Sequence, residues 1–311
     1  MGTEHSLGKE RNHTQWDNSL KPALEIEPGD VVVFDCEEVT GGQITEGCDP
    51  GAIAAIDMGQ IYPLTGPVYV RGARPGDALV VDLLDLEHRG WAWTGILPGL
   101  GLLADEFKEA YIYHWDLRGG DTTAFPGGIS VPIDPFPGTI GVAPAQAGQQ
   151  FVMPPGPFGG NMDIRHLHQG TTLYLPVQVE GGLFSVGDCH AAQGDGEVCV
   201  TGLEAPMGLT LRFDVLEGAN FPTPRFRTDG PLNKRHEERG YYATTGIGPD
   251  LMENARDAVR NMIDWLTSEH GLTPEDAYLL CSAAGDLKIS EVVDQPNWIV
   301  SFYMPLTIFS A

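Results

Sequence analysis

Pro75–Leu86, PGDALVVDLLDL, sets a Pro-Gly-Asp turn directly before a long apolar run. Proline presets the first turn dihedral and glycine supplies positive φ, so the triplet reads as a tight turn that feeds a buried strand. The same form recurs at Pro28–Asp35, PGDVVVFD, and a Gly-Asp-Gly turn at 194–196 precedes EVCVTGLE. The two PGD units point to related β-units, although no repeat of fixed period is present. Gly (40) and Pro (24) are spread through 311 residues, as many short strands joined by tight turns require. The Gly- and Pro-rich segment Phe125–Pro157 reads as loops between edge strands, because apolar residues recur within it. The strong helical pattern is Pro249–His270, with Leu251, Ala255, Ala258, Val259, Met262, Ile263 and Leu266 at three- and four-residue spacings and Gly271 as the stop. Thr273 as N-cap and Pro274 at the first helical position open a second helix through Ala284, and NWIVSFYMPLTIF reads as strand. The predicted class is α+β and β-dominated: many short strands, sandwich- or barrel-like, with a smaller α/β portion carrying the late helices. A single domain over 1–311 is expected, β-rich over residues 1–215 and helix-containing over residues 216–311.

Charge narrows the partners. Lys and Arg total 18 against 43 Asp and Glu, a formal charge of −25 and a pI near 4.5. Such a field repels phosphate backbones, so nucleic acid is excluded as a partner. No run of about 18 apolar residues occurs, which excludes a membrane-spanning helix. The opening MGTEHSLGKERNHTQW lacks the apolar core of a secretory signal, so a soluble, cytoplasmic protein is expected. Five cysteines without a CxxC pair form neither a disulfide framework nor a thiolate zinc site.

The chemistry concentrates in Leu183–Glu204, LFSVGDCHAAQGDGEVCVTGLE. Read as a hairpin, one strand runs through His190, AAQGDG is the loop, and the return strand starts at Glu197. Alternation puts Phe184, Val186, Asp188 and His190 on one face. Asp and His two apart can then reach one cation, with oxygen and imidazole donors suited to zinc or a similar divalent ion. A symmetric loop places Glu197 across from His190, and Glu204, of opposite parity, points away unless a bulge intervenes. Cys189 turns away from His190 and reads as a packed thiol. In FGGNMDIRHLHQ, Asn161 and Asp163 leave a constrained glycine turn and can ligate a cation or bind an amide. Asp35, Glu37 and Glu38 end the apolar VVVFD strand, and carboxylates at the end of a buried strand need partners or a metal. His13 with Trp16 forms a candidate pocket wall, and Trp91 and Trp93 in GWAWTG, with the PFPG and MPPGP loops, a candidate lid.

Across nearly its full length the chain resembles the acetamidase/formamidase family. The residues that carry the resemblance are HTQWDN, PGDVVVFD, GGQI, GPVYVRGARPGDALVVD, IGVAP, GGNMD, LYLPV, GDCHAAQGDGEV and LTPEDAYLLCSAAGDLKISEVVD. The resemblance implies hydrolysis of short linear aliphatic amides such as formamide and acetamide to ammonia and a carboxylate. It also implies a mainly β fold and a homodimer or higher homo-oligomer. Residue by residue, Asn161 and Asp163 fall in GGNMD, Asp188 and His190 in GDxH, and Asp195 and Glu197 in GDGE. Where the family commonly reads F-E-T-x-D, this chain has Phe34-Asp35-Cys36-Glu37-Glu38, with the two acidic chain lengths exchanged.

The expected site follows. Asp188, His190, Asp163 and Glu38 ligate a divalent metal, zinc with calcium as the alternative, and Glu197 is the general base for the attacking water. Asn161 donates to the developing oxyanion, while His13, Gln43 and Asp195 contact a small neutral amide. Two rivals are an amidase using Cys189 as nucleophile and a non-enzymatic β-rich protein holding a structural cation.

Overall fold

The computed structural model describes residues 2–230, 232 and 239–309. Among the described residues the strands form two six-stranded sheets, one three-stranded sheet and three two-stranded pairs. The first sheet has the order Glu4–Leu7, Val31–Cys36, Met207–Leu216, Ala78–His88, Thr172–Pro176, Arg225–Arg227. The second has the order Gly159–Asn161, Phe136–Gly141, Phe184–His190, Leu64–Val70, Asn12–His13, with Leu24–Ile26 parallel to Leu64–Val70. Both PGD units feed strands, as expected, and both strands lie in the first sheet. Val31–Cys36 alternates as a half-buried strand should, with Val32, Phe34 and Cys36 in the core and Asp35 outward on Arg89 at 2.8 Å.

The two large sheets pack as layers on a shared core. Phe34 and Phe213 from the first meet Phe184 from the second, with ring centroids 5.8 Å and 4.9 Å away. Each fully buried phenyl ring contributes on the order of 1.5–3 kcal/mol from the area it removes from water. The architecture is layered sheets, and no sheet among the described residues closes into a barrel.

The late helices follow the sequence. Leu251–His270 is capped by Asp250, whose carboxylate accepts the N–H groups of Met252 and Glu253, so the helix begins after Pro249. It ends at Gly271, φ 65°. Pro274–Ala284 starts at Thr273, whose hydroxyl accepts the Asp276 N–H at 3.1 Å. Leu251–His270 packs on Tyr241–Gly248 and Trp298–Pro305, two strands of the three-stranded sheet completed by Asp286–Glu291, and Pro274–Ala284 packs on Leu251–His270 and Trp298–Pro305.

Two expectations are corrected. Phe136–Gly141, expected among edge strands, is an inner strand with every residue buried, because its glycines let neighbouring backbone close in on both sides. The expected return strand from Glu197 is absent. Residues 191–206 instead form a compact loop in which the Ala191 N–H donates to the Leu203 carbonyl, the Leu203 N–H to the Ala192 carbonyl, and the Ala205 N–H to the Cys189 carbonyl. Positive φ at Glu197 (41°) and Val200 (77°) breaks the alternation on which strand parity depends.

Candidate active site

The site forms where the ladder between Phe136–Gly141 and Phe184–His190 is interrupted. Pairing runs Phe136–His190 and Pro137–Cys189, then resumes at Thr139–Gly187. At the skipped position Asp188 has φ 51°. A Cβ on the facing Gly138 would stand 2.5 Å from Asp163 Oδ1 and 3.1 Å from His190 Nε2, so glycine is what lets these groups converge.

His190 is the centre. Its Nε2 lies 3.2 Å from Glu204 Oε2, 3.4 Å from Asp188 Oδ1 and 4.0 Å from Asp163 Oδ1. Its Nδ1 lies 2.7 Å from Gln193 Oε1 and 3.9 Å from Glu197 Oε1. An amide oxygen only accepts, so Nδ1 carries a proton toward Gln193, and Nε2 faces the three carboxylates, where either a proton or a cation can sit. Gln193 also donates to the Asp163 carbonyl at 2.9 Å, which locks the imidazole to the neighbouring loop. Thr139 Oγ1 lies 2.7 Å from Asn161 Oδ1 and 3.0 Å from Asp188 Oδ2, two acceptors that share its single proton.

Four carboxylates thus crowd one imidazole, and no Lys or Arg pairs with any of them among the described residues. Burial, with the Asp188 charge added, pushes Asp163 up to about 7. Burial likewise pushes Glu204 up to about 7 against the opposing His190 charge, and lifts Glu197 well above the usual carboxylate range. Burial disfavours a charged His190, but Glu204 and Asp188 outweigh it and raise its pKa. Asp163 Oδ1 and Glu204 Oε2 are buried without a hydrogen-bond partner among the described residues. Carboxylate oxygens that accept no hydrogen bond and converge on one imidazole nitrogen fit a divalent cation in place of its proton; two overlapping sets, Asp188–His190–Glu204 and Asp163–His190–Glu197, have suitable spacing.

The acids form the floor of a cavity of about 90 Å³. Asn161, Asp163, Asp188, Glu197 and Glu204 line that end; Ile56, Ile61, Tyr62, Trp93, Leu97 and Met153 supply apolar walls. Trp93 and Met153 come from the segments expected as a lid. Burial, then the carboxylates beneath it, raises the Tyr62 phenol.

The structure brings together Asp163, Asp188, His190, Glu197 and Asn161, and separates the rest of the expected set. Glu38 is not placed as a ligand. Its Oε1 accepts the Gly42 N–H and the Thr40 hydroxyl, and its Oε2 the Thr40 N–H and the Trp93 indole N–H. Those donors occupy its lone pairs and make it the hub of the 38–44 turn. His13 has both ring nitrogens engaged, by Ser185 Oγ and the Gln15 carbonyl, each at 2.8 Å. Gln43 bridges the Thr40 carbonyl and the Asp57 N–H. Asp195 meets Asp286 through its backbone N–H. None of these three lines the cavity. The residue the sequence reading directed away is Glu204, which pairs directly with His190 across an isolated bridge. Its one signal was a lone acid ending the apolar run VCVTGLE. Cys189 is buried beside Cys36, and that neighbour together with burial holds its thiol well above the ordinary value.

The profile of the Acetamidase/Formamidase family matches residues 3–152 and 145–311. The chain is 29% identical to a formamidase of Methylophilus methylotrophus over 96% of its length and 89% of that protein. It is 29% identical to an acetamidase of Mycolicibacterium smegmatis, covering 86% of this chain and 84% of that one. Its structure matches a gamma lactamase from Delftia acidovorans with TM-score 0.90 at 27% identity, over 97% of this chain and 90% of that chain. The chain belongs to the acetamidase/formamidase family and is an amidohydrolase acting on carbon–nitrogen bonds.

Proposed function

We propose that the chain hydrolyses small neutral amides to ammonia and a carboxylate with a divalent metal held by His190 Nε2, Asp188, Glu204 and Asp163. The observation that carries this reading is the pair of buried oxygens of Asp163 and Glu204 that accept no hydrogen bond among the described residues and are aimed at the same imidazole as Asp188. One imidazole with carboxylates suits zinc, with calcium the alternative. When bound, the ion supplies Lewis acidity, making water a stronger acid and the amide carbonyl a better electrophile.

Glu197 takes the proton from the attacking water and passes it to the departing nitrogen; burial, which raises its pKa, makes it a stronger base than an exposed carboxylate. With Oδ1 engaged by Thr139, Asn161 turns its NH₂ group to the oxyanion that develops on the carbonyl. The apolar walls shed water around the reacting carbonyl and accept the acyl group. A neutral amide feels little of the −25 field, so the acidic surface does not oppose its approach. The buried Cys189 thiol supports this reading over a cysteine nucleophile. A cyclic amide is the second substrate reading, favoured by the likeness to the gamma lactamase.

The test is ammonia release from formamide, acetamide and a small lactam by protein purified without chelator. Chelation is expected to abolish turnover, zinc to restore it, and thiol alkylation to leave it unchanged. Glu197→Gln is expected to keep its metal and lose about 10²–10⁴-fold in kcat. Full turnover by metal-free protein sinks the reading.

A further inference from the structure

Arg165 and Asp286 are 6% and 0% exposed, and are bonded to each other through Nη1 and Oδ1. The same Oδ1 accepts the backbone N–H of Asp195 at 3.2 Å. The corner that carries Asp286 holds that loop twice more, by Gly194 N–H to the Ser282 carbonyl and Leu287 N–H to the Asp195 carbonyl, each at 2.8 Å. Packing there is tight: a Cβ on Gly194 would stand 1.8 Å from the Gly285 carbonyl oxygen. Asp286 Oδ2 makes no hydrogen bond among the described residues, with Lys288 Nζ 3.6 Å away.

A buried ion pair commonly stabilises a fold less than apolar residues of the same volume, because both charges lose their water. Its placement here suggests another use. Arg165 stands two residues after Asp163, and Asp195 two before Glu197. Both Asp163 and Glu197 have left-handed backbone, φ 48° and 41°, a conformation that persists only where the surroundings over-determine it. Gln193, on the loop that carries Glu197, also reaches the Asp163 carbonyl and His190 Nδ1.

We propose that Arg165 and Asp286 are a positioning pair for amide hydrolysis. They tie the loop bearing Asp163 to the loop bearing Glu197 and hold both against the helix–strand corner Ser282–Leu287. The late α/β portion thereby sets the separation of ligand and base without touching substrate. This rests on the roles given above to Asp163 and Glu197.

Arg165→Met/Asp286→Leu removes both charges together and leaves neither buried alone. It is expected to fold with a thermal midpoint at or above the parent's and to keep KM within about twofold. Its kcat per folded molecule should fall about 100-fold, the order that a displacement near 1 Å costs. Arg165→Lys, which keeps the charge but loses the guanidinium fork, is expected to fall between the two in kcat, with zinc content per chain equal to the parent's. The proposal is overturned if the double variant has a kcat within about twofold of the parent, or if its loss tracks the folded fraction alone. Should the double variant not fold, parental kcat in Arg165→Lys overturns it and an intermediate kcat with parental KM supports it. A fully active Glu197→Gln refutes instead the roles on which the proposal rests, whatever the pair does.

Discussion

At the scale of single residues, two positions test how the cluster is assembled. Gly138 leaves room for three converging groups, and its Cβ would press on Asp163 Oδ1, the Asp188 carbonyl and His190 Nε2. Gly138→Ala is expected to cost about 1–3 kcal/mol in denaturant unfolding from overpacking, and to lower metal affinity and kcat together in titration and ammonia assays. Glu38 makes the opposite case. Its carboxylate accepts from four donors, so Glu38→Gln sets an NH₂ against N–H groups and should destabilise by about 1–3 kcal/mol. Its metal content should equal the parent's; metal loss without instability would return Glu38 to the ligand set. Asp163, Asp188, His190 and Glu197 were legible because they sit in short motifs whose neighbours are glycines. Glu204 was not, because its direction depends on the path of the loop before it.

At the scale of elements, the helices were the most readable, since caps and periodicity are local. Gly271 ends Leu251–His270 at φ 65°, where a Cβ crowds its own backbone. Gly271→Ala should therefore lose on the order of 1–2 kcal/mol in thermal or denaturant unfolding while kcat stays at the parent value. The Phe136–Gly141 strand was misread as lying among edges because Pro and Gly usually mark loops. Here the glycines serve close backbone approach: a Cβ on Gly141 would meet the Gly160 nitrogen at 2.7 Å. The segment after His190 was misread for a related reason. Strand alternation predicts facing only while φ stays negative, and Asp188, Glu197 and Val200 all have positive φ.

At the scale of the whole molecule, a bound cation would link the site to folding. An ion that binds the native chain alone adds stability by mass action, about 2.7 kcal/mol when it is at 100 times its Kd. Chelation is accordingly expected to lower the thermal midpoint by several degrees, recovered by adding zinc back, with calorimetry as the check. The sequence by itself determined the β-dominated class, the two capped helices and the motifs that hold most of the site, because these depend on composition and short-range pattern. Only the tertiary structure decided which acids share one imidazole. Burial and side-chain direction there are set by packing between distant segments: Glu204 comes in beside His190, and Glu38 is drawn off by Trp93.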